Sequence, residues 1–148
     1  MMILLNEFET KTGGHLDILD VTGDVAATVV ESGIQSGTAL VFSPHTTCCV
    51  LIAASPSKLA IFLEETLHLL APENGYYAHD DLQIRTENLV EDEPANGHAH
   101  IAHVVLGKAS ECVPIQHGRL VLGASQRIVL VELDSSRPRR YCVQVVGE

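Results

Sequence analysis

The chain has 148 residues, enough to bury a core without covalent staples, and 46% hydrophobic against 4% aromatic residues with no Trp implies that this core is aliphatic. A formal charge of -10, with a concentration of acidic residues between Asp80 and Glu93, repels a phosphate backbone, and the scarcity of aromatics removes stacking platforms for bases, so no nucleic acid is expected as partner. The apolar run Met1 to Leu5 has no basic flank and is far too short for a signal or a span, which makes a soluble, cytoplasmic protein without a membrane partner the expectation.

Ile3 to Phe8 and His15 to Leu19 flank Thr10-Lys11-Thr12-Gly13-Gly14, whose glycines allow a hairpin, so two paired antiparallel strands are predicted. Val25, Val29 and Val30 at helical spacing, closed by Gly33, predict a helix over about 23–32. Thr38 to Phe42 and Thr46 to Ala54 read as buried strands around Ser43-Pro44. Ser55-Pro56 then opens a helix whose Leu59, Phe62, Leu63, Leu67 and Leu70 should pack on the sheet.

From Pro72 to Gly97 no period survives, and a loop of that length in a compact chain is usually functional or disordered. Ile101, Val104 and Val105 before Gly107 predict a short helix with His98 and His100 at its polar start. The remainder reads as strands at Glu111 to Ile115, Leu120 to Leu122, Arg127 to Leu133 and Arg140 to Val146, with a turn at Gln116-His117-Gly118-Arg119. Helices and strands without regular alternation, joined by hairpin-length connections, give one α+β domain over 1–148 with a mainly antiparallel sheet and two or three packed helices.

Three polar segments interrupt this apolar pattern. Asn96 to His103 holds three histidines within six residues, and imidazole can bind a divalent ion or move protons near neutral pH. His45, His79, His98 and His100 are therefore candidates, although the first pair of that cluster shares a face only in an extended segment, since residues two apart on a helix diverge by about 200°. Spacing alone favours surface or structural histidines over a metal or acid-base site. The hydroxyls of Thr46 and Thr47 can contact an anion or satisfy backbone groups at a strand end.

Gly118 to Gly123 can form a hairpin and bulge or expose N–H groups to an anion, with Gln126 adding an amide. Asp134 to Arg140 is a turn whose guanidinium groups can grip phosphate, as Arg137 would. Cys48, Cys49, Cys112 and Cys142 include no C-x-x-C pair, which argues against a zinc knuckle or disulfide framework, and Cys48 and Cys49 fall on opposite faces of one strand.

Taken jointly, Pro44-His45-Thr46-Thr47, Tyr77-Ala78-His79, Asn96-Gly97-His98-Ala99-His100, Gly118-Arg119-Leu120, Leu122-Gly123-Ala124-Ser125-Gln126, Glu132-Leu133-Asp134 and Arg137-Pro138-Arg139 give the chain its resemblance. From about Val21 to Val146 it resembles the YjbQ-like family, also called the secondary thiamine-phosphate synthase family. The resemblance implies a YjbQ-like α+β fold, usually a homotrimer, with a cleft at or near subunit boundaries. It also implies a transferase that joins hydroxymethylpyrimidine diphosphate to a thiazole phosphate with loss of pyrophosphate.

Carried over residue by residue, His45 and His100 would be the catalytic groups. His45, His79, His98 and His100 would line a site for a divalent metal ion, and Thr46, Thr47, Gln126 and Arg137 would contact a phosphorylated small molecule. The chain departs from the family at Ala53-Ala54, where Asn-Glu is usual, and at Ser125, where Trp is usual. Those departures leave a second reading open: a non-catalytic trimeric phosphate- or metal-binding protein that has lost the family's acid and Trp.

Overall fold

The computed structural model describes residues 1–92 and 94–148. In chain order the elements are β1 (Met2–Lys11), β2 (Ile18–Asp20), α1 (Thr22–Ser32), β3 (Ser36–Phe42), β4 (Cys48–Ala53), α2 (Pro56–Leu70), α3 (Gly97–Leu106), β5 (Ser110–Gln116), β6 (Arg119–Leu120), β7 (Arg127–Glu132) and β8 (Pro138–Gly147). The strands make two wholly antiparallel sheets, one ordered β1-β8-β3-β5-β6 and the other β2-β7-β4. The α+β class expected from the sequence is the class observed.

The two sheets stack face to face. Ala39 and Val41 of β3, Val113 and Ile115 of β5, and Tyr141, Val143 and Val145 of β8 point inward and meet Cys48 and Val50 of β4 and Ile128 and Leu130 of β7. Val25 and Val29 of α1 close one side of this layer, as their spacing predicts. Each such side chain, removed from water, contributes roughly 1.5–3 kcal/mol before conformational entropy is subtracted.

On the far face of the small sheet, Cys49, Val129 and Val131 pack against Leu63 and Leu67 of α2 and Ala99 and Ala102 of α3. Because β7 is covered on both faces, five consecutive residues from Ile128 to Glu132 are buried and no polar alternation survives in its sequence. Phe62 and Leu70 of α2 are exposed, contrary to the expected packing of the whole stripe. The inward edge is the four-residue series Leu59, Leu63, Leu67, and the other two fall on its flanks.

The predicted hairpin between the first two strands does not form. β1 pairs along its full length with β8, whereas β2 pairs with β7 in the other sheet, so the Gly13-Gly14 segment carries the chain from one sheet to the other. Leu120 to Leu122 is also shorter than expected, being a two-residue strand that returns from β5 through His117 and Gly118, both with left-handed backbones at φ 53° and 68°.

One charged pair sits within the apolar layer, and strand parity explains it. Glu132 continues the inward series Ile128, Leu130 of β7, and Arg139 begins the inward series Tyr141, Val143, Val145 of β8. Arg139 donates from Nε to Glu132 Oε2 at 2.6 Å and from Nη2 to Thr47 Oγ1 at 2.9 Å. The hydroxyl of Thr12 donates to the same carboxylate at 2.7 Å, so no member of the group is left without a partner.

Candidate functional site

The long segment between α2 and α3 carries no helix or strand among its described residues, and it is fixed by side-chain hydrogen bonds instead. Tyr77 donates its hydroxyl to the Pro72 carbonyl at 2.8 Å, and Asp80 accepts the backbone N–H of Gly97, at the start of α3, at 2.9 Å. A Cβ at Gly97 would collide with the Tyr77 Cβ, so only glycine lets the loop lie this close to the helix.

This seating aims His79 at α3. Its Nδ1 lies 2.8 Å from Asp80 Oδ1, and its Nε2 lies 3.1 Å from Nη1 of Arg85. A guanidinium can only donate, so Nε2 carries the lone pair and Nδ1–H donates to Asp80. The His79 ring rests against that of His100, with centroids 4.5 Å apart.

Beside these rings opens a cleft of about 300 Å³, lined by Thr46, Thr47, Asn96, Asp134 and Arg137 as well as by His79, Arg85 and His100. Its floor is Asp134, whose carboxylate accepts from Asn96 Nδ2 at 2.7 Å and from the Ser135 N–H at 2.7 Å, and lies 3.0 Å from Arg137 Nε. Burial pushes the Asp134 carboxyl up, but the hydrogen bonds from Asn96 and Ser135 and the charges of Arg137 and Arg139 outweigh it and hold it below its usual value. The backbone N–H of Asp134 donates to Glu132 Oε1 at 3.0 Å, which joins the floor to the buried pair.

Burial lowers the pKa of His100, and the neighbouring His79 and Arg85 lower it further against the opposing pull of Asp134. His100 is thus a mainly neutral imidazole at pH 7, able to accept a proton or a hydrogen bond from a ligand. Arg137 supplies a partly exposed guanidinium and Thr46 an exposed hydroxyl. The cleft therefore presents donors and a neutral base rather than a set of free carboxylates.

The four candidate histidines do not converge. His79 and His100 share the cleft, but His98 lies two residues earlier in regular helix and faces the other way, beside His15 and Tyr77 at centroid distances of 6.0 and 6.5 Å. His45 lies outside the cleft, in a separate hollow with Glu9, Thr10 and Arg140, where its Nε2 accepts the Arg140 N–H at 2.9 Å. Burial, followed by the Arg139 charge, lowers its pKa.

Gln126 is turned into its own loop, accepting the Gly123 N–H at 2.7 Å. It belongs to the end of the small sheet where Ala53 pairs with Arg127, one strand length of roughly 17 Å from Thr47. Ala53 and Ser125, the two departures from the family pattern, stand at that same end.

The cleft side chains do not fit a divalent ion. Both nitrogens of His79 are engaged, the carboxylate of Asp134 is paired with Arg137 and Asn96, and a second guanidinium lines the wall. Asp134, Asn96, Glu132 and Arg139 carry no motif that marks them as site residues, and the folded chain brings Asn96 and Asp134 to the cleft and the other two beneath it. The signal for the two carboxylates is the Glu132-Leu133-Asp134 sequence at the end of an apolar run, where the strand stops at Glu132 and Asp134 enters the turn that follows.

The chain is similar to known proteins over nearly its whole length. The family model described as UPF0047 protein YjbQ-like matches residues 6–148. A UPF0047 protein of Archaeoglobus fulgidus is 34% identical over 140 residues, covering 95% of this chain and 99% of that protein. YugU of Bacillus subtilis is 30% identical over 146 residues, covering 97% and 100%. Among solved structures, a YbjQ-like protein of Sulfolobus solfataricus superposes with a TM-score of 0.80 at 27% identity, covering 99% of this chain and 100% of that one. A YjbQ/UPF0047 protein of Clostridium acetobutylicum gives 0.78 at 31% identity, covering 95% and 99%.

Proposed function

The chain belongs to the UPF0047 family of YjbQ-like proteins, and from that membership and the make-up of the cleft we propose that it binds a phosphorylated small molecule between the 72–97 loop and the Asp134 turn. The observation that carries this is the convergence of Thr46, His100 and Arg137 from three separate segments onto one 300 Å³ hollow. Guanidinium, hydroxyl and imidazole together suit a phosphate or diphosphate, and a charge-assisted hydrogen bond of this kind contributes roughly 1.5–3 kcal/mol.

The reaction class is the one implied by the family resemblance: joining hydroxymethylpyrimidine diphosphate to a thiazole phosphate with release of pyrophosphate. In such a reaction the thiazole nitrogen would form a bond to the pyrimidine's methylene carbon as the bond from that carbon to the diphosphate oxygen breaks. Arg137 and Thr46 would hold the leaving diphosphate, and the N–H of the neutral His100 imidazole would donate a hydrogen bond to the charge developing on its oxygen. Incubating the two precursors with the protein and measuring thiamine phosphate tests it. Turnover that disappears with His100→Ala supports the transferase, and absence of turnover in the unaltered protein overturns it.

One observation favours the non-catalytic reading. The acid and the Trp of the family pattern are replaced in this sequence by Ala54 and Ser125, so neither group is present to take part in a reaction. Pyrophosphate binding without turnover, abolished by Arg137→Ala, would support that reading.

A homotrimer is part of the same proposal. The outer face of the large sheet exposes Ile3 and Leu5 of β1 and, across the intervening β8, Leu40 and Phe42 of β3, a largely apolar surface that a second copy would cover. His45 and Arg140 lie at the end of that face, so a neighbouring subunit would border their hollow.

A further inference from the structure

We propose that His15, Glu73 and His98 form a binding site for a divalent transition ion of the zinc class, on the face of α3 turned away from the phosphate cleft. One ligand atom from each of the three lies within 4.8 Å of the other two. His15 Nε2 is 3.6 Å from Glu73 Oε1. An ion about 2.1 Å from each donor in tetrahedral geometry sets donors about 3.4 Å apart, so this pair is already at the right separation. Glu73 is well exposed and can rotate to close the remaining distance.

The hydrogen bonding of His15 points the same way. Its Nδ1 lies 3.0 Å from the Leu133 carbonyl, which can only accept, so Nδ1 carries the hydrogen and Nε2 presents its lone pair to the Glu73 carboxylate. A lone pair facing a carboxylate needs a cation between them, either a proton or a metal. A backbone carbonyl on the far nitrogen is the arrangement that orients an imidazole toward a metal.

His98 favours the metal over the proton. It brings a second imidazole to the same place, with its Nδ1 buried and without a hydrogen-bond partner among the described residues. Beyond the three ligands lies a cavity of about 410 Å³ walled by Glu64, His68 and Asn74, which leaves room for a water or a fourth donor. Two imidazoles, one carboxylate and an open position are a zinc ligand set.

The site stands apart from the phosphate cleft and does not rest on it. Chelator-treated protein carrying Cys112→Ser, which removes the exposed thiol, is titrated with Zn²⁺ by calorimetry. One equivalent per chain is expected, with affinity falling about tenfold or more in His15→Ala and in Glu73→Gln, both surface changes that leave the fold in place. Arg137→Ala should leave Zn²⁺ binding unchanged while abolishing pyrophosphate binding, so the two proposals fail separately. Absence of stoichiometric binding, or equal affinity in both variants, overturns the site. So does an NMR titration in which His15 gains a proton at Nε2 and does not respond to Zn²⁺, since that assigns the contact to an ion pair.

Discussion

Arg139 and Glu132 face each other between two sheets with 5% and 0% of their side chains exposed, joined through two guanidinium nitrogens and both carboxylate oxygens. Removing either partner strands a charge in the apolar layer, which costs about 3–5 kcal/mol, whereas replacing both leaves no orphan and costs less. Arg139→Met and Glu132→Leu should each lower the urea midpoint sharply, and the double variant should recover part of that loss. Additive losses in the cycle would show that the pair does not act as a unit.

Arg137→Ala should weaken pyrophosphate binding by about 10- to 100-fold, the value of a charge-assisted hydrogen bond, with unchanged stability at neutral pH to within about 1 kcal/mol. Arg137→Lys should restore only part of the affinity, because a point charge cannot reproduce a two-pronged grip. Calorimetry with pyrophosphate reads both. An unaltered dissociation constant in the alanine variant would remove the cleft as the binding site.

Stability should fall as pH drops from about 7.5 to 5. Burial lowers the pKa values of His45, His100 and His103 below the ordinary 6.5, so in this window the unfolded chain takes up more protons than the folded one. Their contribution is present above the unfolded value and is lost as the solution is acidified through the folded values. Asp134, with its pKa lowered, loses its contribution only in more acidic solution, so the window reports on the imidazoles. Urea midpoints across the range should show the slope, and His103→Gln, whose shift comes from burial alone, should flatten it.

Gly97→Ala should cost roughly 1–3 kcal/mol by forcing Tyr77 away from the start of α3. Since Asp80 grips that same turn and orients His79, the variant should also lose pyrophosphate affinity. Denaturation midpoints and calorimetry on one preparation test both effects. Retained affinity with reduced stability would separate the loop's packing from its role at the cleft.

Leu5→Lys and Phe42→Asp, on the exposed outer face of the large sheet, should convert a trimer to monomers in sedimentation experiments. A monomer before any substitution would end the assembly proposal.

Much of this was legible from the chain alone, because periodicity reports which face a residue occupies. Val25 and Val29 marked α1, and β3 shows its alternation in the burial of Ala39 and Val41 between exposed Leu40 and Phe42. Pairing partners were not legible. Gly13 and Gly14 permit a tight turn, yet β8, over a hundred residues away, offers β1 a full-length apolar partner that β2 is too short to match.

At the site, Thr46, Thr47, His79, His100 and Arg137 were named from sequence and share one cleft. His98 was grouped with them by adjacency, although helical geometry already separates residues two apart. His15 and Glu73 carried no motif, because a donor set drawn from three distant segments exists only after folding.

The order of the large sheet has a consequence for biosynthesis. β8, last in chain order, lies between β1, which is first, and β3. A nascent polypeptide cannot complete that sheet until the stretch after Arg137 has left the ribosome, so the earlier strands must wait with open edges that invite aggregation. Truncation before Pro138 would remove the partner that joins the first strand to the rest.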